Sequence, residues 1–371
     1  MHKVAFYPIG NADCCKINLQ DGRMLLFDYA HTAVGEDDGD PRIDLKKQLR
    51  QELKEAGRQD FDVVGFTHAD DDHIRGSNDF FYFEHAEKYQ KGDRIKIKEL
   101  WVPAAIILEE GLAGEAGILR AEARHRFKKG KGIRVFSRPE RLKDWIEAQG
   151  VKWEDRKHLI VDAGRLVPNF DDRSKGVEFF VHSPFAVHVD GGMEDRNEAA
   201  LIFHVTFFCG DEATRLFLMG DTTHEVLEDI VGITRDRGRQ ERLKWDIYDI
   251  PHHCSYRALN KDKKGDTKTE PVPKVKWLLD QGQSGAVLIS SSDAIPASDT
   301  TPPPHMQAAN CYKEVADNKK GEFSVTMTHP DKKKPGPLVI TIDDKKARIK
   351  KPSSEGHIQV LAKPPRAGGS C

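Results

Sequence analysis

"GFTHADDDHIRGS", residues 65–77, continues the apolar run "FDVVGF" of residues 61–66. Within it, six consecutive positions from His68 to His73 carry two histidines and three aspartates. Such a cluster repels itself unless a cation sits inside it, and its side chains are those that ligate divalent metals. The run before it reads as a buried strand, so the cluster falls on the loop that follows. His68, Asp70, Asp72 and His73 are spaced so that a compact loop aims alternate side chains at two neighbouring points. Two ions about 3.5–4 Å apart would neutralise it.

Upstream, "KVAFYPI", "CCKINL" and "RMLLFDYA" predict three short strands joined by the tight connections "GNAD" and "QDG", a β-meander. "DLKKQLRQELKEAG" then places Leu45, Leu49 and Leu53 at helical spacing and ends on glycine. Downstream, residues 78–175 change character. Charged helical stretches surround one apolar strand, "KELWVPAAII", and a basic run, "RHRFKKGKGIRVF", so this region reads as a charged helical insertion or an elaborated face. Strands return with "GVEFFVHSP", "AALIFHVTFF", "TRLFLMGD" and "WDIYDIPHH", each carrying a His or Asp that strand propensity does not favour. Those residues add His182, Asp221, His252 and His253 as candidate ligands at strand ends. A helix at "TTHEVLEDIVG", a strand at "GAVLISSS", a proline-rich loop before His305, a helix at "MQAANCYKEV" and the strands "EFSVTMTH", "PLVITID" and "ARIKK" complete the expected order.

This order suits an α/β (α+β) chain of two sheets with helices outside them. The 371 residues are 38% hydrophobic and 32% charged, enough for one large domain spanning 1–350, with residues 351–371 as a flexible tail. A formal charge of −2 advertises neither a nucleic-acid nor a membrane partner, so any such partner must be met locally. The N-terminus lacks a secretory signal pattern, and "AALIFHVTFF" is too short to span a bilayer. No CxxC pair occurs among the six cysteines, and adjacent Cys14 and Cys15 are poorly placed for a disulfide. A soluble, cytoplasmic, reduced protein is expected. GxSxG, Walker A and a usable GxGxxG are missing, and no serine or cysteine nucleophile is required.

"THADDDHIRGS" resembles the THxHxDHxGG signature of the metallo-β-lactamase superfamily, and the order His68 loop, His182, Asp221, His253 repeats that family's order of metal motifs. Further phrases are similar to the C-terminal hydrolase domain of ComEC-type DNA-uptake proteins: "IGNADC", "LLFDYA", "VHSP", "NEAALIF", "FLMGD", "PHHCS" and "PPPHMQAA". The resemblance covers about residues 3 to 330 outside the charged region. It implies a four-layer αββα sandwich holding two divalent ions, zinc or manganese. His68, Asp70 and His182 would hold one, Asp72, His73 and His253 the other, with Asp221 bridging and Asp28 orienting a ligand. The implied reaction is hydrolysis of a phosphodiester by hydroxide, with Asp72 in the reaction centre and His305 or His252 protonating the leaving oxygen. Three departures stand out: Asp70 replaces the second histidine, Arg75 a glycine, and Cys254 the glycine of a His-His-Gly-Ser turn. The added carboxylate hardens the first site.

Lys128, Lys129 and Lys131 of the basic run are candidates for contact with a polyanionic substrate, nucleic acid above all. The same metal pair would equally serve a small substrate such as a cyclic nucleotide, lactone or thioester. A third reading is a metal-poor binding module in a multi-protein system, such as one of defence against foreign nucleic acid.

Overall fold

A computed structural model describes residues 1–32, 39–186, 189, 196–262 and 264–350. The tail expected at 351–371 lies outside the described residues. The chain opens with the expected meander, β1 (His2–Phe6), β2 (Cys15–Asn18) and β3 (Met24–Phe27), all antiparallel neighbours. Helix α1 (Leu45–Glu55) follows. The Asp44 side chain accepts from the Lys47 amide and satisfies one of its free N–H groups, while Leu45, Leu49 and Leu53 form its buried stripe.

Strand β4 (Asp60–Gly65) lies parallel to β3, and the short helices α2 (Asp71–Ile74) and α3 (Ser77–Phe80) carry the chain away from it. Strand β5 (Lys96–Pro103), helices α4 (Ala104–Leu108) and α5 (Gly114–Lys129), strand β6 (Ile133–Phe136), helix α6 (Glu140–Ala148) and strand β7 (Ile160–Val161) come next. The charged stretch is thus built into the fold, because β5, β6 and β7 extend the first sheet by parallel pairing from β4. Parallel strands need a crossover on a sheet face, and α5 and α6 supply it with Leu119, Phe127, Leu142 and Ile146 turned inward. Most of their charge lies on the other side of each helix, the exception being the buried pair Glu122 and Arg126 of α5.

The second sheet runs through β8 (Leu166–Asp172), β9 (Val177–Ser183), β10 (Ile202–Cys209), β11 (Glu212–Met219), β12 (Trp245–Ile250), β13 (Gly282–Ser290) and β14 (Glu322–Val325) in sequence order. Helices α7 (His224–Asp236), α8 (Pro273–Asp280) and α9 (Met306–Asn318) make the parallel crossovers from β11 to β14. Strands β15 (Leu338–Asp343) and β16 (Lys346–Ile349) return to the first sheet beside β1, giving nine strands in one sheet and seven in the other among the described residues.

Three apolar layers follow from this arrangement. Between the sheets, Phe27 and Trp101 meet Phe179 and Phe203. Outside the first sheet lie α1, α4, α5 and α6, and outside the second lie α7, α8 and α9. The architecture is the four-layer αββα sandwich. Strands β3, β4, β11, β12 and β13 all deliver their C-terminal ends to one edge, where ligand-binding loops collect in α/β sheets.

Candidate metal centre

The loop after β4 is held from below by Asp28, at the end of β3. Its carboxylate accepts from the Thr67 amide at 2.7 Å, from the Thr67 hydroxyl at 2.7 Å and from His73 Nδ1 at 2.8 Å. Asp28 has φ of 56°, a left-handed conformation that aspartate tolerates better than most side chains. With Nδ1 as the donor to Asp28, His73 presents the lone pair of Nε2 to the space above. Gly220 is required by the same contact, since a Cβ there would sit 2.5 Å from Thr67 Oγ1.

Four strand ends meet around that space. His73 Nε2 lies 3.5 Å from Asp221 Oδ1 and 3.7 Å from Asp13 Oδ2. His253 Nε2 lies 3.7 Å from Asp221 Oδ1 and 3.1 Å from Asp72 Oδ2. His253 Nδ1 bonds the Ser291 carbonyl at 2.8 Å, which again leaves Nε2 turned inward. Ligand atoms about 2.1 Å from one tetrahedral ion stand about 3.4 Å apart, so these separations suit one ion. His68 Nε2, His73 Nε2 and Asp221 Oδ1 are buried without a hydrogen-bond partner. Unpaired buried polar atoms are costly, and His73 Nε2 and Asp221 Oδ1, aimed into one space, fit a divalent cation.

The charges respond to one another. Burial pushes His73 down, but Asp28 and Asp221 outweigh it and hold its imidazole well above its ordinary range. Burial likewise opposes protonation of His253, yet Asp221, Asp13 and Asp72 raise it to about 10. Burial raises Asp13 to about 6 against the pull of His253 and His73. For Asp72, burial is overcome by His253 and His73, which lower it to about 2. His68, where burial and His73 dominate, falls to about 4 and stays neutral.

Asp13 is the ligand candidate that the sequence reading missed. It sits in "GNAD", taken there as a turn alone, and its amide bonds the Asp72 carbonyl at 3.1 Å. An acid closing a turn beside a strand end was the available signal. His182 is not brought to the cluster. Phe179 and Val181 face the space between the sheets, so alternation turns His182 to the outer face, stacked on Phe217 at 5.1 Å and bonded to the Arg242 carbonyl at 2.9 Å. Asp70 is beside His68, 3.5 Å from its Nε2, but its other oxygen is paired with Arg196.

His252 follows β12 with Nε2 3.7 Å from Asp221 Oδ2 and is partly exposed. His252, His253 and Cys254 all have positive φ, 53°, 51° and 65°, at the turn where the signature has a glycine at the third position. His305 lies behind that turn with both ring nitrogens engaged by backbone, Nδ1 accepting from the Tyr256 amide and Nε2 donating to the Thr301 carbonyl. Lys128, Lys129 and Lys131 are far from the centre. Glu115 at the start of α5 bonds the Gly76 amide near the loop, and the helix then runs about 20 Å to its basic end. Crossover geometry places that end at the N-terminal edge of the strands, opposite the ligand edge.

Among the described residues no helix is long and apolar enough to cross a membrane. No family model matches the sequence, and no curated protein matches it. Similar solved structures include unliganded yeast PDE1, at 11% identity and TM-score 0.44 over 87% of this chain and 97% of that one. A diphosphatase of the PhnP family gives 9% identity and TM-score 0.32 over 88% and 87%. The metallo-β-lactamase GOB-18 from Elizabethkingia meningoseptica gives 13% and 0.31 over 68% and 77%. These likenesses say nothing of what this chain acts upon.

Proposed function

We propose that the chain is a metal-dependent hydrolase that cleaves phosphodiesters at the edge where Asp13, Asp72, His73, Asp221 and His253 converge. The observation that carries this reading is the set of buried, unpartnered donors, His73 Nε2 and Asp221 Oδ1, facing each other at 3.5 Å. A divalent ion bound there supplies Lewis-acid polarisation and makes hydroxide available near neutral pH. The protein's own residues do the rest. Asp28 orients His73, and the Ser291 carbonyl orients His253. His252 is the group placed to protonate the leaving oxygen, since it is partly exposed and beside Asp221, whereas His305 has no free nitrogen.

A cleft of about 320 Å³ opens beside Asp72 at the edge of the centre, lined also by Asn11, Arg42, Arg75 and Asp293, and is the place for a substrate. Arg75, where the signature has glycine, is half exposed and, among the described residues, forms an ion pair with surface Asp71. It can turn to an incoming phosphate. Nucleic acid is the polyanionic case of such a substrate. The size of the cleft and the remote position of Lys128, Lys129 and Lys131 favour a second reading, a small diester such as a cyclic nucleotide. Incubating the manganese- or zinc-loaded protein with single-stranded DNA, duplex DNA, RNA and cyclic dinucleotides, with Asp72→Ala as control, tests both. Cleavage of one class, lost in the variant, is the expected result; no mutant-sensitive turnover of any of them would sink the phosphodiesterase reading.

A further inference from the structure

We propose that this chain holds one divalent ion, and that the guanidinium of Arg196 supplies the positive charge at the place of a second. This rests on the metallohydrolase reading and concerns how its site is filled.

Among the described residues two donor groups occur, Asp13 with His73, Asp221 and His253, and His68 with Asp72 and His73. They share His73, whose Nδ1 is committed to Asp28, so only its Nε2 can bind an ion. One nitrogen lone pair serves one ion. Once His73 joins Asp13, Asp221 and His253, the other group keeps His68 and Asp72 among the described residues. The further donors available there are fewer than the loop's spacing suggests, because His182 faces the outer side of the second sheet under Phe217. Among the described residues Asp70 is the further acid beside His68, with Oδ2 3.5 Å from Nε2, and its Oδ1 is paired with the cation of Arg196.

Arg196 is a fixed cation. Glu109, just after α4, grips it through Nε at 3.0 Å to each carboxylate oxygen and through Nη2 at 2.7 Å. Its Nη1 then reaches Asp70. A guanidinium remains charged at any pH the protein meets, so it neutralises Asp70 without metal. The aspartate that replaced a histidine in the loop thus has a partner of its own, and the pair forms the anion-facing wall beside His68. With its side chain 36% exposed, Arg196 is open to a phosphoryl oxygen, to which its fork of donors is well matched.

The test is a metal count on the purified full chain, by native mass spectrometry and elemental analysis after saturation with zinc or manganese. One ion per chain is expected in the natural protein, and two in Arg196→Ala/Asp70→His, which removes the fixed cation and adds an imidazole. Two ions in the natural protein would overturn the proposal and leave the metallohydrolase reading standing. None would overturn both. A double variant that stays folded by circular dichroism and still takes one ion would overturn the role of Arg196. In parallel, inorganic phosphate titrated into the loaded protein should bind at least about tenfold more weakly to Arg196→Ala than to the natural chain; equal binding would overturn the phosphate contact.

Discussion

Two buried groups of ionisable side chains in this molecule are built on opposite principles. Under α5, Glu122 and Arg126 are almost wholly buried, yet each is satisfied. Glu122 accepts from the His85 amide at 2.9 Å, from His85 Nδ1 at 3.0 Å and from Arg126 Nε at 2.6 Å, and Arg126 donates onward to the carbonyls of Ile97 and Gly132. At the strand ends, His68, His73 and Asp221 are equally buried but keep atoms with no partner. Burial and charge are common to both. What separates a structural cluster from a functional one is the unspent lone pair.

The sharpest break between them is a pair of substitutions read by two instruments. His73→Ala should leave less than about a tenth of an ion per chain and lower turnover by at least about a thousandfold, because charge neutralisation and hydroxide supply go together. Retention of a full ion and most activity would refute the assignment of His73. Glu122→Ala should do the reverse. It strands Arg126 in the interior and should lower unfolding free energy by about 3–5 kcal/mol in denaturant titration, with metal content unchanged.

That pair also has a pH signature. Burial opposes ionisation of Glu122, but His85 and Arg126 overcome it and lower its carboxyl from an ordinary 4.5 to about 2. A depressed acid stabilises the fold fully above its unfolded value and loses that contribution as pH falls through the folded one. The Glu122→Ala difference in stability should therefore be constant above about pH 5 and shrink between about pH 4.5 and 2. A difference that grew on acidification would contradict the pairing.

Smaller effects sharpen the metal half. Asp28→Ala frees His73 Nδ1 and should weaken metal affinity by about 10–100-fold while the centre still forms. In the metal-free chain His73 is held protonated well above its ordinary range and His253 to about 10, so an ion must displace protons from both near neutrality. Apparent affinity should then rise with pH by about one to two log units per unit, and calorimetry in buffers of different ionisation enthalpy should register proton release. Binding without proton release would mean that these histidines are not the ligands.

Much of the fold was legible because its signals are local. Continuous apolar runs ending in His or Asp marked β4, β11 and β12, and the leucine spacing marked α1. The "AAII" that looked like a strand's continuation turns out as α4, since a short apolar run carries no period that separates helix from strand. The region taken as an insertion, residues 78–175, supplies three strands of the first sheet. Its helices bury an apolar stripe, and in α5 an ion pair beside it, and a count of charges cannot show which side faces a sheet. For the candidate site, the loop of His68 to His73, Asp221 and His253 was singled out from residue type and position after a strand, and the structure brings His68, Asp72, His73, Asp221 and His253 close together. Asp13 was not, because a lone acid in a turn has an ordinary explanation in the turn itself.

The sequence alone determined that strands ending in histidine and aspartate would alternate with helices, and therefore that a buried sheet edge would carry metal-ligating groups. Only the tertiary structure decided which of those groups meet. His182 has the right residue type at the right end of a strand, but the two-residue period of β9 turns it to the outer face. Asp13, 60 residues before His73 in the chain, lands 3.7 Å from it because β1, β2, β3 and β4 are neighbours in one sheet. Arg196 reaches Asp70 across 126 positions. Ligand sets are closed by contacts distant in sequence, and such contacts are fixed by sheet order and pleat rather than by any local pattern.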